Sequence, residues 1–320
     1  MHHRVNWIDN LKALAIFLVV LGHSINGGVT STDKYAAYLC DWIYSFHMPL
    51  FFLLSGITYQ LASSNGKTKR TSTSQIVNIG IIYIVQSLIY ILFNVISQRF
   101  INPSNIYTLK DGAFVLFTPI AHFWFLHTLI IYYIVDYILC RLLKKNSLIF
   151  LTTLILSLLS FCIPFDYISK ILYLLFFFEL GRAMHFFSKI PIIIIIVGTI
   201  YSFISPFISN HTLIFSYLDF IIAICVSLLL VYIFQKFSNR SINIITYAGK
   251  NCIWIYIFHS YFTSIARAIC NRFIPQATLL RICVCTISGI LFPLIMCFIS
   301  QKLNVDFLVS RPIKLFKKKS

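Results

Sequence analysis

Two ionisable side chains, Lys12 and His23, flank one apolar run, residues 13–21, near the start of the chain. Titratable groups are costly in hydrocarbon, so two of them in a segment of membrane-spanning length indicate a function. They are eleven residues apart. On a helix this spacing corresponds to about three turns plus 20°, so both side chains share one face. They are about 16 Å apart along the axis, one towards each side of a bilayer.

His23 is the leading candidate for acid–base chemistry. An imidazole takes up and returns protons near neutral pH, which is what a general base needs when it activates a hydroxyl. The alternative is a helix-end histidine that contacts only water or lipid headgroups. Lys12 stays charged near the other membrane edge. It suits the phosphates of a ligand, and it can also pair with Asp9 one turn earlier.

A second histidine, His47, opens the apolar helix that follows. An antiparallel neighbour starts where the first helix ended, so we expect His47 at the same membrane edge as His23. There it would orient His23 or help to bind a ligand. The alternative is a polar residue ahead of a kink at Pro49. Ser55 is a further candidate for chemistry, but the pair Ser55-Gly56 favours close helix packing.

Later segments contain five further candidates. His122 and Trp124 enter the fourth apolar segment and could contact a ligand, although a tryptophan at a membrane edge is equally an anchor. Glu179 and Arg182 are three residues apart on one helix face, which favours a structural ion pair over ligand binding. His259 lies deep in the ninth segment and is either functional or a satisfied buried histidine.

The composition indicates an all-α polytopic membrane protein. Of the 320 residues, 59% are hydrophobic and only 11% are charged, whereas a soluble domain has about a quarter charged. The nine cysteines form no Cys-x-x-Cys pair and are interpreted as apolar fillers, so no metal site is predicted. Ten apolar segments can be marked, at about 11–29, 41–62, 76–98, 113–139, 148–164, 168–187, 190–208, 213–235, 252–270 and 279–303.

The net charge of +17 would suggest nucleic acid in a soluble protein, but here it is a topology signal. The basic residues lie mainly between the apolar segments, where they meet membrane lipids rather than nucleic acid. With ten spans and both termini cytoplasmic, 19 of the 26 lysines and arginines fall on the cytoplasmic side. His23 and His47 are therefore predicted to face the outside.

Several motifs resemble the integral-membrane acyltransferase-3 family, whose members are multi-span O-acyltransferases of bacterial surface sugars. The resemblance covers essentially the whole chain. Members commonly have arginine at the position of Lys12. The lack of a Trp-x-Leu-x-x-Glu segment points to the branch that resembles fucose 4-O-acetylase. The matching motifs are Asp9-x-x-Lys12, Lys12-x10-His23, the block from Phe46 to Gly56, His122 to Leu126, Gly249-Lys250-Asn251 and Ile255 to His259.

The resemblance implies one transmembrane domain over residues 1–310, followed by a basic cytoplasmic tail, 311–320, in the bacterial cytoplasmic (inner) membrane. It implies transfer of an acyl group, in the first place acetyl, from a cytosolic acyl-CoA such as acetyl-CoA. No permanently bound cofactor is expected. The acceptor is a hydroxyl of a surface polysaccharide or its lipid-linked precursor. The alternative function is a polysaccharide exporter or flippase without acyltransferase activity.

The same resemblance suggests roles for the candidate residues. His23 acts as the base or as a transient acyl carrier, assisted by His47. The donor is held at the opposite end of the first helix, and the acceptor lies near the fourth segment. The full set is His23 and His47 as catalytic residues; Asp9, Lys12 and Arg182 at the donor; His122 and Trp124 at the acceptor; and Ser55, Glu179 and His259 as further candidates.

Overall fold

The computed structural model describes residues 5–27, 33–64, 68–98, 106–184, 192–204, 213–238, 240, 242–310 and 312. These ranges contain α-helices joined by loops and short 3-10 turns, and they contain no strand. The helices are α1 (Asn6–Asn26), α2 (Lys34–Ser64), α3 (Thr68–Ser97), α4 (Trp124–Leu143), α5 (Asn146–Leu159), α6 (Asp166–Ala183), α7 (Ile192–Ile204), α8 (Leu213–Phe237), α9 (Asn243–Lys250), α10 (Cys252–Phe273), α11 (Thr278–Lys302) and α12 (Phe307–Ser310).

The predicted all-α, polytopic membrane architecture is confirmed. Each of the ten apolar segments contains one of the helices α1–α8, α10 and α11. Among the described residues, six helices are long and apolar enough to cross a membrane, namely α1, α2, α3, α4, α8 and α11. Helices α5 and α7 are shorter, and α6 and α10 contain charged side chains. The predicted basic tail, 311–320, lies outside the described residues except for Pro312, and the sidedness of the termini stays a prediction.

Two predicted helix starts are wrong. The fourth segment becomes helical only at Trp124, because residues 109–123, which include Gly112 and Pro119, form 3-10 turns and loop. Helix α2 begins at Lys34, so His47 lies thirteen residues into it instead of opening it, or about 20 Å along its axis. Pro49 lies inside the same helix without ending it, as membrane helices tolerate.

The chain forms two compact units. Unit 1 comprises Met1–Val19, Lys34–Thr68 and Tyr132–Lys250. Unit 2 comprises Val20–Asp33, Lys69–Ile131 and Asn251–Ser320. Helix α1 therefore contributes its first part, with Lys12, to unit 1 and its last turns, with His23, to unit 2.

Glycines set the closest helix packing of unit 1, in which α2 packs against α6 and α8. A Cβ atom on Gly56 of α2 would lie 1.9 Å from the carbonyl oxygen of Phe178, and one on Gly181 of α6 would lie 2.0 Å from that of Leu53. Only residues without a side chain allow two helix backbones to approach so closely. The Ser55 hydroxyl donates to the carbonyl of Phe51 at 2.9 Å. These contacts support the packing interpretation of Ser55-Gly56.

Gly181→Ala should weaken unit 1, because the new methyl group would overlap the backbone of α2. We expect a loss of about 1–3 kcal/mol or more, as for other overpacked sites, seen as a lower thermal unfolding midpoint in detergent. Gly80→Ala is the matched control, since nothing lies within 4 Å of the added Cβ and alanine favours helix by up to about 1 kcal/mol. Equal unfolding midpoints for the two variants would contradict the glycine contact.

Unit 2 contains the helix pair α10 and α11 together with α3 and the segment that follows it. Gly289 of α11 allows close packing, because a Cβ there would lie 2.6 Å from the methyl group of Thr263. After α3 the chain folds back onto it: the Asn94 side-chain oxygen accepts the backbone N–H of Tyr107 at 2.9 Å, and the Tyr83 hydroxyl donates to the carbonyl of Val115. These contacts position residues 106–123 and so the entry to α4.

Candidate active site

Three histidines of unit 2 come together: His23 from the last turn of α1, His122 from the entry to α4 and His259 from α10. We call them the histidine cluster. The ring centroid of His259 lies 5.2 Å from that of His23 and 4.9 Å from that of His122. His259 is fully buried and His122 is 7% exposed. The sequence named each residue as a candidate, and the structure places the three in one site.

The backbone at Ala121 turns the chain into His122. Ala121 has a positive φ of 45°, a left-handed conformation that costs a residue with a side chain about 1–2 kcal/mol. Such strain persists where neighbouring contacts hold it. Here the Ala121 N–H donates to the Tyr107 hydroxyl at 2.8 Å, and the Tyr256 hydroxyl donates to the carbonyl of His122.

Hydrogen bonds fix the orientation of both buried rings. The Nε2 atom of His122 lies 3.2 Å from the carbonyl oxygen of Ile257. The Nδ1 atom of His259 lies 3.1 Å from the carbonyl oxygen of Ile255 and 2.7 Å from that of Tyr256. The remaining nitrogen of each ring points to Ser260, whose Oγ is 3.1 Å from Nδ1 of His122 and 3.3 Å from Nε2 of His259.

Aromatic rings surround the histidine cluster on the side of α3. The centroid of Tyr90 lies 5.4 Å from that of His122 and 5.3 Å from that of Tyr261, in both cases almost edge-on. The Tyr261 hydroxyl is buried and has no hydrogen-bond partner among the described residues. Aromatic faces with polar edges can pack against a sugar ring and bond to its hydroxyls. Trp124, the other predicted acceptor residue, is half-buried at the start of α4.

Arg267 is a residue of the site that the sequence analysis missed. Its guanidinium donates to the backbone carbonyl of His23, in the last turn of α1, at 2.9 Å. A Cβ on Gly27 would lie 1.8 Å from the centre of this guanidinium, so the arginine occupies the space above a glycine. Its position inside the ninth apolar segment could have marked Arg267 as functional. The sequence analysis instead counted it only among the charges that set the membrane topology.

Asn10 fixes the other end of α1 within unit 1. Its side-chain NH2 donates to the carbonyl of Ser238 at 3.0 Å and to that of Arg240 at 3.1 Å, and its oxygen accepts from the Thr246 hydroxyl at 2.7 Å. The segment between α8 and α9 therefore holds the start of α1. Asn10 was not among the predicted site residues.

The donor candidates Asp9 and Lys12 lie on the same first turns of α1. Asp9 is 3% exposed, whereas Lys12 is half-buried. A Cβ on Gly249 would lie 1.7 Å from the carbonyl oxygen of Asp9, so the Gly249-Lys250 turn packs directly on this end of the helix. Lys250 itself is exposed. Unit 1 thus brings two lysines of the sequence motifs, Lys12 and Lys250, to the region around the start of α1.

A separate group of charges is buried in unit 1. The Arg182 guanidinium lies 2.7 Å from a carboxylate oxygen of Glu179 and 3.1 Å from one of Asp136. The predicted pair of Glu179 and Arg182 is confirmed, whereas Asp136 was left without a role by the sequence. Two carboxyl groups of unit 1 thus face one guanidinium. These contacts favour a structural role for Arg182. Its contact with donor phosphates stays a prediction.

Arg182→Ala should destabilise the protein much more than Glu179→Gln. Removing the cation leaves two buried carboxylates uncompensated, a change that typically costs about 3–5 kcal/mol. Glutamine keeps the volume of Glu179 and leaves Arg182 paired with Asp136. Thermal unfolding in detergent compares the variants. A Glu179→Gln protein as unstable as Arg182→Ala would show that the surplus carboxylate is required.

His47 belongs to unit 1, where its Nδ1–H donates to the carbonyl of Ile43 at 2.9 Å and its ring packs against Tyr44. His47 was predicted to open its helix, and this was the reason for placing it at the membrane edge of His23. That placement is wrong, because His47 lies inside α2. Its catalytic role stays a prediction. Among the described residues no group of three histidine, cysteine, aspartate or glutamate side chains has the arrangement needed to hold a metal ion.

A family model described as an acyltransferase domain, that of the acyltransferase-3 family, matches residues 5–298. The matched range includes the whole histidine cluster, Arg267 and both ends of α1. None of the curated proteins and none of the solved structures matches the chain.

Proposed function

The chain belongs to the acyltransferase-3 family, and on this premise we propose that it is an O-acyltransferase of bacterial surface polysaccharide. Membership and the apolar helices make it a multi-pass membrane acyltransferase. The proposal adds the substrates: a cytosolic acyl-CoA, in the first place acetyl-CoA, as donor, and a hydroxyl of a surface glycan or its lipid-linked precursor as acceptor. It also adds the location, the bacterial cytoplasmic membrane.

The observation that carries the proposal is the histidine cluster. Buried titratable groups are costly in an apolar helix assembly and concentrate at functional sites. His23 lies 5.2 Å from His259 between ring centroids, so the proposed base has a second imidazole beside it. Acyl transfer to a hydroxyl needs a group that moves protons near neutral pH, and imidazole is the side chain best suited to this.

In the proposed reaction His23 removes the proton from the acceptor hydroxyl. The oxygen attacks the carbonyl carbon of the acyl group, the carbon–sulfur bond breaks, and the sulfur leaves as the thiolate that takes up a proton. In the variant with a covalent intermediate, a ring nitrogen of His23 attacks first and transfers the acyl group to the hydroxyl in a second step. His122 and the aromatic rings around it hold the acceptor in either case.

Helix α1 suits a donor whose phosphates and acyl group are far apart. Lys12 and His23 occupy one continuous helix, about 16 Å apart along its axis. Acyl-CoA has negative phosphates at one end of a long flexible arm and the thioester at the other. The first turn of a helix favours anions and Lys12 follows it in the second turn of α1, so the proposal has Lys12 and the helix end act together on the phosphates.

Lys12→Arg should keep most of the activity, because guanidinium also carries a positive charge and binds phosphate well. Lys12→Ala should mainly raise the KM for acetyl-CoA and leave the rate at saturating donor little changed. Initial rates at varied donor concentration, measured in membrane vesicles, distinguish these effects. An alanine variant with the parental KM would reduce Lys12 to a topology residue.

His23→Ala and His23→Gln should abolish glycan acylation and leave the amount of protein in the membrane unchanged. A general base typically contributes about 10²–10⁴-fold, and glutamine keeps hydrogen bonding without a nitrogen that titrates. Mass spectrometry of the surface glycan measures the acyl content, and the membrane fraction is quantified in parallel. A glutamine variant that acylates at nearly the parental rate would exclude His23 as base and as acyl carrier.

Cells that carry the His23 variants also distinguish an acyltransferase from the alternative function, an exporter or flippase. In cells with His23→Gln, an acyltransferase leaves the glycan exported but unacylated. An exporter or flippase that depends on this site instead loses surface glycan, whatever its acyl content. Total surface glycan is therefore quantified alongside the acyl groups.

A further inference from the structure

Within the proposed function, the hydrogen bonds around Ser260 imply a role for this residue that the sequence motifs do not assign. Carbonyl oxygens only accept hydrogen bonds, so the ring nitrogens that face them must carry the hydrogens. In His259 this nitrogen is Nδ1, held by the carbonyls of Ile255 and Tyr256. In the neutral ring Nε2 is therefore a bare acceptor.

His122 has the opposite tautomer for the same reason. Its Nε2 faces the carbonyl of Ile257, so in the neutral ring Nδ1 is the bare acceptor. Both bare nitrogens face Ser260 Oγ, at 3.1 Å for His122 and 3.3 Å for His259. One hydroxyl has one hydrogen and can satisfy only one of them at a time.

One of the two ring nitrogens can therefore bind an additional proton. The unsatisfied nitrogen lies in a buried environment where a polar atom without a partner is costly. When Ser260 donates to His122, that nitrogen is Nε2 of His259, whose ring packs against the ring of His23. A proton that reaches His259 can pass to Ser260 Oγ while the Ser260 hydrogen passes to Nδ1 of His122.

We infer that Ser260 links His259 and His122 into a relay that receives the proton removed from the acceptor hydroxyl by His23. The proton moves from His23 to Nε2 of His259, and then through the hydroxyl of Ser260 to His122. No other bond forms or breaks in these steps. After the carbon–sulfur bond has broken, the proton returns by the same route and protonates the thiolate. Ser260 is a positioning residue in this scheme, because it acts through the two rings.

Spreading the positive charge explains why three histidines are used. A single imidazolium in an apolar site loses the solvation that water would provide. Hydrogen-bonded neighbours in a low-dielectric site polarise one another and stabilise the charge more than isolated pairs do. The relay lowers the cost of holding a proton during the step in which the acyl group has left the donor but the thiolate has not yet been neutralised.

The test uses the full chain in lipid vesicles with acetyl-CoA and with surface glycan extracted from cells that lack the protein. Release of the free thiol measures the rate. Ser260→Ala should lower kcat by about 10-fold to 100-fold, up to the lower limit of the range for groups that act directly as acid or base, and leave the KM for the glycan unchanged. Alanine is the best helix former, so α10 is retained. Ser260→Thr, which keeps a hydroxyl, should recover activity to within about threefold of the parent.

Two comparisons separate the relay from a structural effect. Ser264→Ala, one turn further along α10, is the matched control and should have the parental kcat. Since residues that act as a unit show non-additive losses, the double variant Ser260→Ala/His122→Ala should be no slower than His122→Ala alone. Losses that multiply, a threonine variant as slow as the alanine variant, or a Ser260→Ala protein with parental kcat would each overturn the relay. If the parent itself releases no thiol, the proposed function fails.

Discussion

The need to satisfy hydrogen bonds away from water constrains the buried polar side chains in the helices of this protein. An unsatisfied polar group in hydrocarbon costs several kcal/mol, and the helices meet this constraint mostly with backbone carbonyls. His47 donates to Ile43, and His259 donates to Ile255 and Tyr256. These bonds anchor the rings, and they also decide which nitrogen of each histidine can take part in chemistry.

The same constraint accounts for the contacts of two arginines in the helices, Arg182 and Arg267. Arg182 is held by two carboxylates, so its charge is used within unit 1. Arg267 instead donates to the last turn of α1 at His23, where exposed carbonyls favour a cation. A positive group at this end of α1 complements the helix dipole and fixes the backbone from which His23 projects. The side chain of His23 is half-buried, as the proposed contact with an acceptor requires.

Sequence periodicity and composition were enough to locate the helices α1–α8, α10 and α11 within the described residues, because apolar runs of this length must form helices when they contact lipid. Helix ends were predicted less well. Hydropathy marks only the apolar part of a helix, and α2 begins seven residues before its predicted segment, at Lys34. The position of His47 was therefore misjudged. In the fourth segment, Pro119 lies within a run that hydropathy alone predicts as helix.

The sequence predicted which histidines are candidates for the site, but it did not predict that they lie next to one another. His23, His122 and His259 are separated by about a hundred residues or more in the chain, and nothing in a single sequence specifies that their helices meet. Ser260 could have been noticed only as the neighbour of His259, since serine is common in membrane helices as a packing residue.

The two ends of α1 present different side chains, Lys12 near its start and His23 in its last turn. Its amino-terminal turns, fixed by Asn10 to the segment before α9, contain Lys12, the proposed contact of the donor phosphates. Its carboxyl-terminal turn presents His23 to the ring of His259, which lies beside His122. The proposed donor is anionic at one end and electrophilic at the other and so matches the order of these side chains along α1, whereas a neutral glycan chain moving through a pore would need polar groups repeated along its path. The arrangement is therefore better suited to group transfer than to transport.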